Sequence, residues 1–431
     1  MYHHCTTPFD FVAPLAYSGS MKTHLPHTIK ERFSIFADDQ TLVYLDTAAS
    51  ALTLRDASDA LCDYYAHNGA NIARGVYPLA ERATSAYEGA RADVARFLGA
   101  QPEEVIFTSG ATMSLNMAAH LFGADLTRHD AIAVTAMDHH ANFVPWQQRA
   151  QAAGAAFQVI PVTADGYIDP STLGRHITRH TRVLALPLVS NVLGTIVDVP
   201  ALAAAARTIN PDIVIVVDAA QAVAHMPVDV TTLGCDALAF SGHKLYGPTG
   251  IGVLYLARTH AAALPPFLTG GEMVAAVSAQ TTHFKDAPHK FEAGTPHIAG
   301  AIGLGAAVRA LMAIGMQNIA AHDRELVTYA LTQLRRTLGN TLTLYGPQRA
   351  HDRSALLSFT VDGIHPHDLA WHLGAAHNIA IRAGQHCTMP LHDSVLHTAA
   401  TARASFGLYT TRADIDALCA GIISAKESLT R

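Results

Sequence analysis

The chain has 431 residues, half of them hydrophobic and 15% charged, with a formal net charge of −6. That length exceeds one hydrophobic core, the composition argues against disorder, and the charge leaves no basic footprint for nucleic acid. The longest apolar runs, such as residues 183–189 and 213–217, fall far short of a bilayer span, so no membrane association is expected.

Residues 34–38 read as a short helix leading into a strand at 42–46. Further strands are predicted at 105–107, 131–135, 157–161, 183–188, 213–217, 237–240 and 252–256. Ala-rich helical segments such as 200–208 lie between them. This alternation predicts an α/β architecture, a mostly parallel sheet covered on both faces, with ligands bound beyond the carboxyl ends of its strands. After Pro296 the pattern changes. A long helical region over 299–338 precedes a strand at 355–361, a helix at 367–373, short strands at 379–382 and 402–408, and a closing helix from Ala413. That is the pattern of a second, α+β domain. The expected division is an N-terminal extension and helix over 1–40, a large domain over 41–296 and a small domain over 297–431.

Residues 1–20 lack the basic start and apolar core of a signal peptide. The five cysteines, Cys5, Cys62, Cys235, Cys387 and Cys419, are scattered and odd in number. They predict reduced thiols and a cytoplasmic setting rather than a disulfide framework. The 26 histidines invite a metal reading, but His3-His4 and His365-Pro366-His367 lack thiolate partners, so no metal site is expected.

Five stretches, and Arg403 apart from them, carry candidate chemistry. The β-branched run 213–217 ends on Asp218, a carboxylate at the mouth of the sheet that needs a cationic partner; taken alone, it is as well read as a helix cap. Lys244 follows a predicted strand in Ser241-Gly-His-Lys, where a partly desolvated amine suits Schiff-base chemistry and Ser241 and His243 lie close enough to contact an anion. Residues 108–112, Thr-Ser-Gly-Ala-Thr, join a strand to a helix whose first N–H groups suit a phosphate. His139, in Met137-Asp-His-His-Ala-Asn, is placed to stack on a flat ring or shuttle a proton. Cys387 lies in Arg382-Ala-Gly-Gln-His-Cys, where Arg382 and His386 favour a thiolate, and Arg403 suits a carboxylate. Each signal has a bland alternative. Together they form the parts list of a pyridoxal-phosphate site, in which the protein orients and tunes a cofactor that supplies the electron sink.

The same stretches, with Tyr44-Leu-Asp-Thr-Ala-Ala-Ser50, Val189-Ser-Asn-Val-Leu-Gly194 and Phe291-Glu-Ala-Gly-Thr-Pro296, resemble the class V aminotransferases. Within them the closest likeness is to cysteine desulfurases of the SufS type (group II), also called selenocysteine lyases. The resemblance implies the fold type I, aspartate aminotransferase-like architecture, with a seven-stranded sheet in a large cofactor-binding domain. The small domain would carry the catalytic cysteine and the N-terminal helix would pack with it. The cofactor implied is pyridoxal 5'-phosphate, bound to Lys244. Asp218 would pair with the ring nitrogen, His139 would stack on the ring and Gln221 would reach the phenolic oxygen. Thr112, Ser241 and His243 would hold the phosphate, with Thr295 contributed by the neighbouring subunit of a homodimer. Asn191 and Arg403 would fix the substrate carboxylate, Arg382 would support the cysteine segment, and Cys387 would take the sulfur of L-cysteine as a persulfide. The implied task is sulfur supply for iron–sulfur cluster assembly, through a SufE- or SufU-type acceptor touching residues 271–279. Release of selenium from L-selenocysteine is the alternative. Ala73, Ser109, Ala111 and Met113 depart from the family pattern, which has His, Arg, Thr and an acidic residue there.

Overall fold

The computed structural model describes residues 27–163 and 165–429; the expectations for residues 1–20 lie outside them. After a 3-10 turn (His27–Arg32) and a four-residue helix (Ile35–Asp38), the main elements in chain order are β1 (Val43–Tyr44), α1 (Arg55–His67), α2 (Pro78–Leu98), β2 (Val105–Thr108), α3 (Ala111–Gly123), β3 (Ala131–Thr135) and α4 (His140–Ala153). Then come β4 (Ala156–Ile160), β5 (Thr181–Pro187), α5 (Val199–Ile209), β6 (Val214–Asp218), β7 (Ala237–Ser241), β8 (Gly252–Leu256) and the hairpin β9 (Val274–Val277) and β10 (Thr282–Phe284). The remainder comprises α6 (Ile298–Ile314), α7 (Met316–Leu338), β11 (Leu342–Tyr345), β12 (Leu356–Val361), α8 (Pro366–His377), β13 (Ile379–Ala380), β14 (Arg382–Gly384), β15 (Thr401–Ser405) and α9 (Arg412–Leu429).

Seven strands form one sheet in the order β2-β8-β7-β6-β5-β3-β4. All run parallel except β8, which is antiparallel to both β2 and β7. Side chains alternate across the sheet. Leu184, Leu186, Ile215, Val217, Leu238 and Phe240 face one core with residues of α1, α2, α5 and α6. Val183, Ala185, Val216, Ala237 and Ala239 face the other with α3 and α4. Both faces are covered, which is why these strands read as continuous apolar runs rather than as alternation.

A four-stranded antiparallel sheet, β11-β12-β15-β14, packs against α7, α8 and α9 around a separate core that includes Leu331, Phe359, Phe406 and Ile422. The long helical region over 299–338 comprises two helices, bent by 76° at Gly315, whose φ of +89° interrupts the run. The strand expected over 379–382 is split: β13 pairs in parallel with β1, while β14 joins the four-stranded sheet. Ahead of β1, Phe33 makes edge contacts with Tyr246 and Tyr409, and Lys30 pairs with Asp414 of α9 at 3.3 Å. Among the described residues no single helix is long and apolar enough to cross a membrane.

Candidate active site

Five strand ends converge at the carboxyl edge of the parallel sheet, where open α/β folds bind ligands. β6 ends on Asp218 and β7 on Ser241. β5 leads to Asn191, β3 to His139 and β2 to the turn before α3. The register places Thr108, Gly252 and Ser241 side by side across β2, β8 and β7. A Cβ on residue 252 would lie 2.4 Å from the Gly110 Cα, so only glycine lets the 109–111 turn rest on β8. There the Ser241 Oγ accepts the Ala111 N–H at 2.8 Å. The result is a helix start whose first-turn N–H groups have no intrahelical partner, beside a serine and a threonine, which is an anion cradle.

Lys244 ends the single 3-10 turn Gly242–Lys244 that follows β7. Burial, joined by the Arg403 charge, pulls its amine below the usual lysine value, while Asp218 and Cys387 oppose the shift. Asp218 is 7% exposed and accepts the Ala220 N–H at 2.9 Å. Burial holds its carboxyl above the ordinary range, against that hydrogen bond and the Lys244 charge. A cationic N–H placed against such a carboxyl favours its ionised form.

His139 caps α4, its Nδ1 accepting the Ala141 N–H at 3.0 Å. Burial, with Lys244 close by, pushes its pKa down to about 3, so the ring is neutral near pH 7. Beneath it the buried Asp138 accepts hydrogen bonds from the Thr135 N–H and hydroxyl and from the Asn142 amide, each at 2.7 Å, which fixes the turn that aims the ring. Gln221 donates to the Ala48 carbonyl at 2.6 Å, and His243 lies 3.3 Å from the Ser50 hydroxyl.

Thr112, His139, Asn191, Asp218, Gln221, Ser241, His243 and Lys244 all line one cavity of about 240 Å³. Thr295 is exposed and does not line it. Cys387, Arg382 and Arg403 stand beside it, on β14, β15 and the segment between them. Arg403 is 3% exposed and donates to the Asn191 carbonyl at 2.9 Å, yet its buried Nε has no partner among the described residues. Arg382 lies directly opposite Arg403 across β14 and β15. Asp46 sits between the two like charges, taking Arg382 at 3.0 Å and Arg403 at 3.5 Å. The Asn191 amide, expected on the substrate, also donates to the His386 carbonyl at 2.7 Å and accepts from the Thr388 hydroxyl at 3.1 Å.

One expectation fails. His386 is 9% exposed, its Nε2 faces Thr401, and burial and the Arg403 charge push its pKa far down. It is neutral near pH 7 and supplies no charge to favour a Cys387 thiolate. Sequence reasoning assigned no role to Asp46, Asp138, His140 or Arg353. Arg353 is 2% exposed and spends its guanidinium on the carbonyls of Pro347, Tyr345 and Leu356, locking the turn beside Asn191. Nothing in a lone Arg marks such a role.

The donor set fits pyridoxal phosphate. A buried carboxyl waits for a cationic ring N–H, an amine with lowered pKa faces it, a neutral flat ring lies alongside, and an anion cradle closes one end. The orphaned Arg403 Nε adds a donor suited to a substrate carboxylate. Among the described residues no group of three or more His, Cys, Asp or Glu side chains is arranged to hold a metal ion.

Comparison with known proteins agrees with this chemistry. A "Probable cysteine desulfurase" of Halalkalibacterium halodurans is 45% identical over 406 residues, covering 93% of this chain and 98% of that protein. A "Cysteine desulfurase" of Haloferax volcanii is 44% identical over 394 residues, covering 90% and 91%. The solved cysteine desulfurase of Thermococcus onnurineus superposes with a TM-score of 0.89 at 35% identity, covering 95% of this chain and 100% of that one. An Escherichia coli cysteine desulfurase gives 0.85 at 38% identity, covering 94% and 99%. The class-V aminotransferase family model matches residues 43–418, and the chain belongs to that pyridoxal phosphate-dependent family.

Proposed function

We propose that this chain is a SufS-type cysteine desulfurase that converts L-cysteine to L-alanine and takes the sulfur onto Cys387. The observation that carries the reading is the placement of an exposed thiol beside the Lys244 cavity: the His140 N–H, one residue from His139, donates to the Cys387 carbonyl at 2.7 Å. The names of the relatives support cysteine over selenocysteine as the substrate. The short segment from β14 to Cys387, with no long loop, supports the SufS type.

Arg403 binds the substrate carboxylate and Asn191 orients it. Lys244 takes the Cα proton, its lowered pKa leaving a larger share of free amine to accept it. Bound pyridoxal phosphate supplies the sink for the electron pair that this leaves. Asp218 keeps that sink electron-poor by pairing with its ring nitrogen. The Cys387 thiolate then attacks the substrate sulfur. An S–S bond forms as the Cβ–S bond breaks, the pair left on Cβ takes a proton, and Lys244 returns its proton to Cα, so alanine departs and a persulfide remains. The reading extends to a homodimer in which each Thr295 serves the neighbouring subunit's phosphate. It also includes a SufE- or SufU-type acceptor, iron–sulfur assembly and a cytoplasmic location. The domain limits 41–296 and 297–431 and an acceptor contact over residues 271–279, where Val277 is 64% exposed, and at the mouth near Cys387 belong to the same proposal.

The test is the visible absorbance of the purified protein before and after L-cysteine, with alanine and sulfide assayed under reductant. A shifting band with equal alanine and sulfide is expected. The Cys387→Ala variant keeps the band and loses persulfide formation; full cysteine turnover by that variant would remove Cys387 from the mechanism.

A further inference from the structure

The Cys387 segment is held in an unfavourable shape. His386 and Cys387 have φ values of +51° and +58°, consecutive left-handed residues with no glycine between them. Side chains that carry a Cβ adopt this region only where their surroundings impose it. Two groups impose it here. Asn191 grips the His386 carbonyl and the Thr388 hydroxyl on one side. His140 grips the other: its N–H donates to the Cys387 carbonyl at 2.7 Å, and its ring Nε2 accepts the Met389 N–H at 3.1 Å. The second bond needs a neutral ring, since a protonated imidazole has no lone pair to accept with.

We propose that His140 is a positioning residue that, with Asn191, latches the Cys387 segment at the mouth of the cofactor cavity, the latch being closed only while the His140 ring is neutral. The inference rests on the desulfurase reading. His139 of the same turn lies 6.4 Å away between ring centroids. From the latched segment, the Cys387 carbonyl lies on the His140 N–H. Across the adjoining cavity of about 510 Å³ stand His120 of α3 and Arg149, and among the described residues no carboxylate lines that cavity to hold a proton on the ring. Burial already lowers the His140 pKa below the ordinary 6.5. A lowered histidine pKa means that the folded chain favours the neutral form. The latch is therefore closed above that pKa and opens as pH falls through it.

The test compares the holoenzyme with its His140→Leu and His140→Gln variants. Leucine removes the acceptor, whereas the glutamine amide oxygen restores one that does not titrate. In His140→Leu, kcat for L-cysteine is expected to fall by about 10- to 100-fold, the scale of a misplaced reacting group, with KM little changed and the visible band intact. His140→Gln is expected to recover most of kcat and to lose the part of the acidic limb of the wild-type kcat profile that belongs to His140. Hydrogen exchange at the Met389 amide is read in parallel and does not depend on turnover: it accelerates in His140→Leu and not in His140→Gln. Unchanged exchange and unchanged kcat in His140→Leu would overturn the latch. A wild-type enzyme that makes no alanine from cysteine would instead count against the proposed function, leaving the exchange comparison to decide the latch by itself.

Discussion

Burial lowers the Lys244 amine and raises the Asp218 carboxyl, so each is driven toward its neutral form by the same loss of water. In the proposed function, a cationic ring nitrogen would reverse this for Asp218, whose charge would then hold the ring proton. Asp218→Asn removes that charge while keeping the shape. Its kcat is expected to fall by about 100-fold or more, as when a preorganised electrostatic group is deleted. The visible band should persist, because Lys244 and the phosphate cradle remain; absorbance and alanine release together check this. Such residues were legible because their chemistry sits at strand ends, where a Lys or Asp after an apolar run stands out. Asp46 and His140 were not legible, because their meaning comes from partners more than 240 positions away in sequence.

Among elements, the β2-β8-β7 edge shows how a backbone rather than a side chain builds a site. The Gly252→Ala methyl group would meet the Gly110 backbone at 2.4 Å, and neither strand end can yield without moving the Ala111–Ser241 contact. Overpacking of this kind costs about 1–3 kcal/mol. Thermal unfolding should show the loss of stability, and equilibrium dialysis should show weaker cofactor binding. The strands and helices themselves were largely readable, since a sheet covered on both faces leaves continuous apolar runs. Boundaries governed by one backbone angle were less so. Gly315 looks like one more glycine in an Ala- and Gly-rich stretch, and only its φ of +89° turns one helix into two. The β9–β10 hairpin was missed because its residues are mostly exposed and carry little apolar signal.

At the scale of the molecule, ion pairs join parts that the sequence keeps far apart. Arg91 of α2, 1% exposed, bonds Glu292 at 2.7 Å, and Glu292 also accepts the Phe107 N–H at the same distance. The pair ties the segment before Thr295 to the strand that feeds the phosphate cradle. Glu292→Ala leaves the guanidinium with the half-exposed Glu88 and the Val105 carbonyl as its hydrogen-bond partners among the described residues. Removing one partner of a buried pair costs about 3–5 kcal/mol, so the apparent Tm should drop in a thermal melt. His225 and Asp323, both buried and 2.8 Å apart, make a similar tie between the turn after Gln221 and α7. Neither tie nor the strand order could be read in advance, because periodicity reports which face of an element is buried and not which element covers it.

The Ala111–Ser241 hydrogen bond spans 130 residues of chain, and Gly252 must lie between its two strands before it can form. The cradle is therefore assembled only after the remote strand β2 has met the consecutive pair β7 and β8, and contacts of such long sequence separation form slowly because loop closure comes first. Cofactor capture becomes a late event in folding and a report on its completion. In a refolding experiment begun with excess pyridoxal phosphate, far-UV ellipticity should recover first and the visible band should follow with a measurable lag. Simultaneous recovery of the two signals would mean that this edge of the sheet forms early, ahead of the rest of the fold.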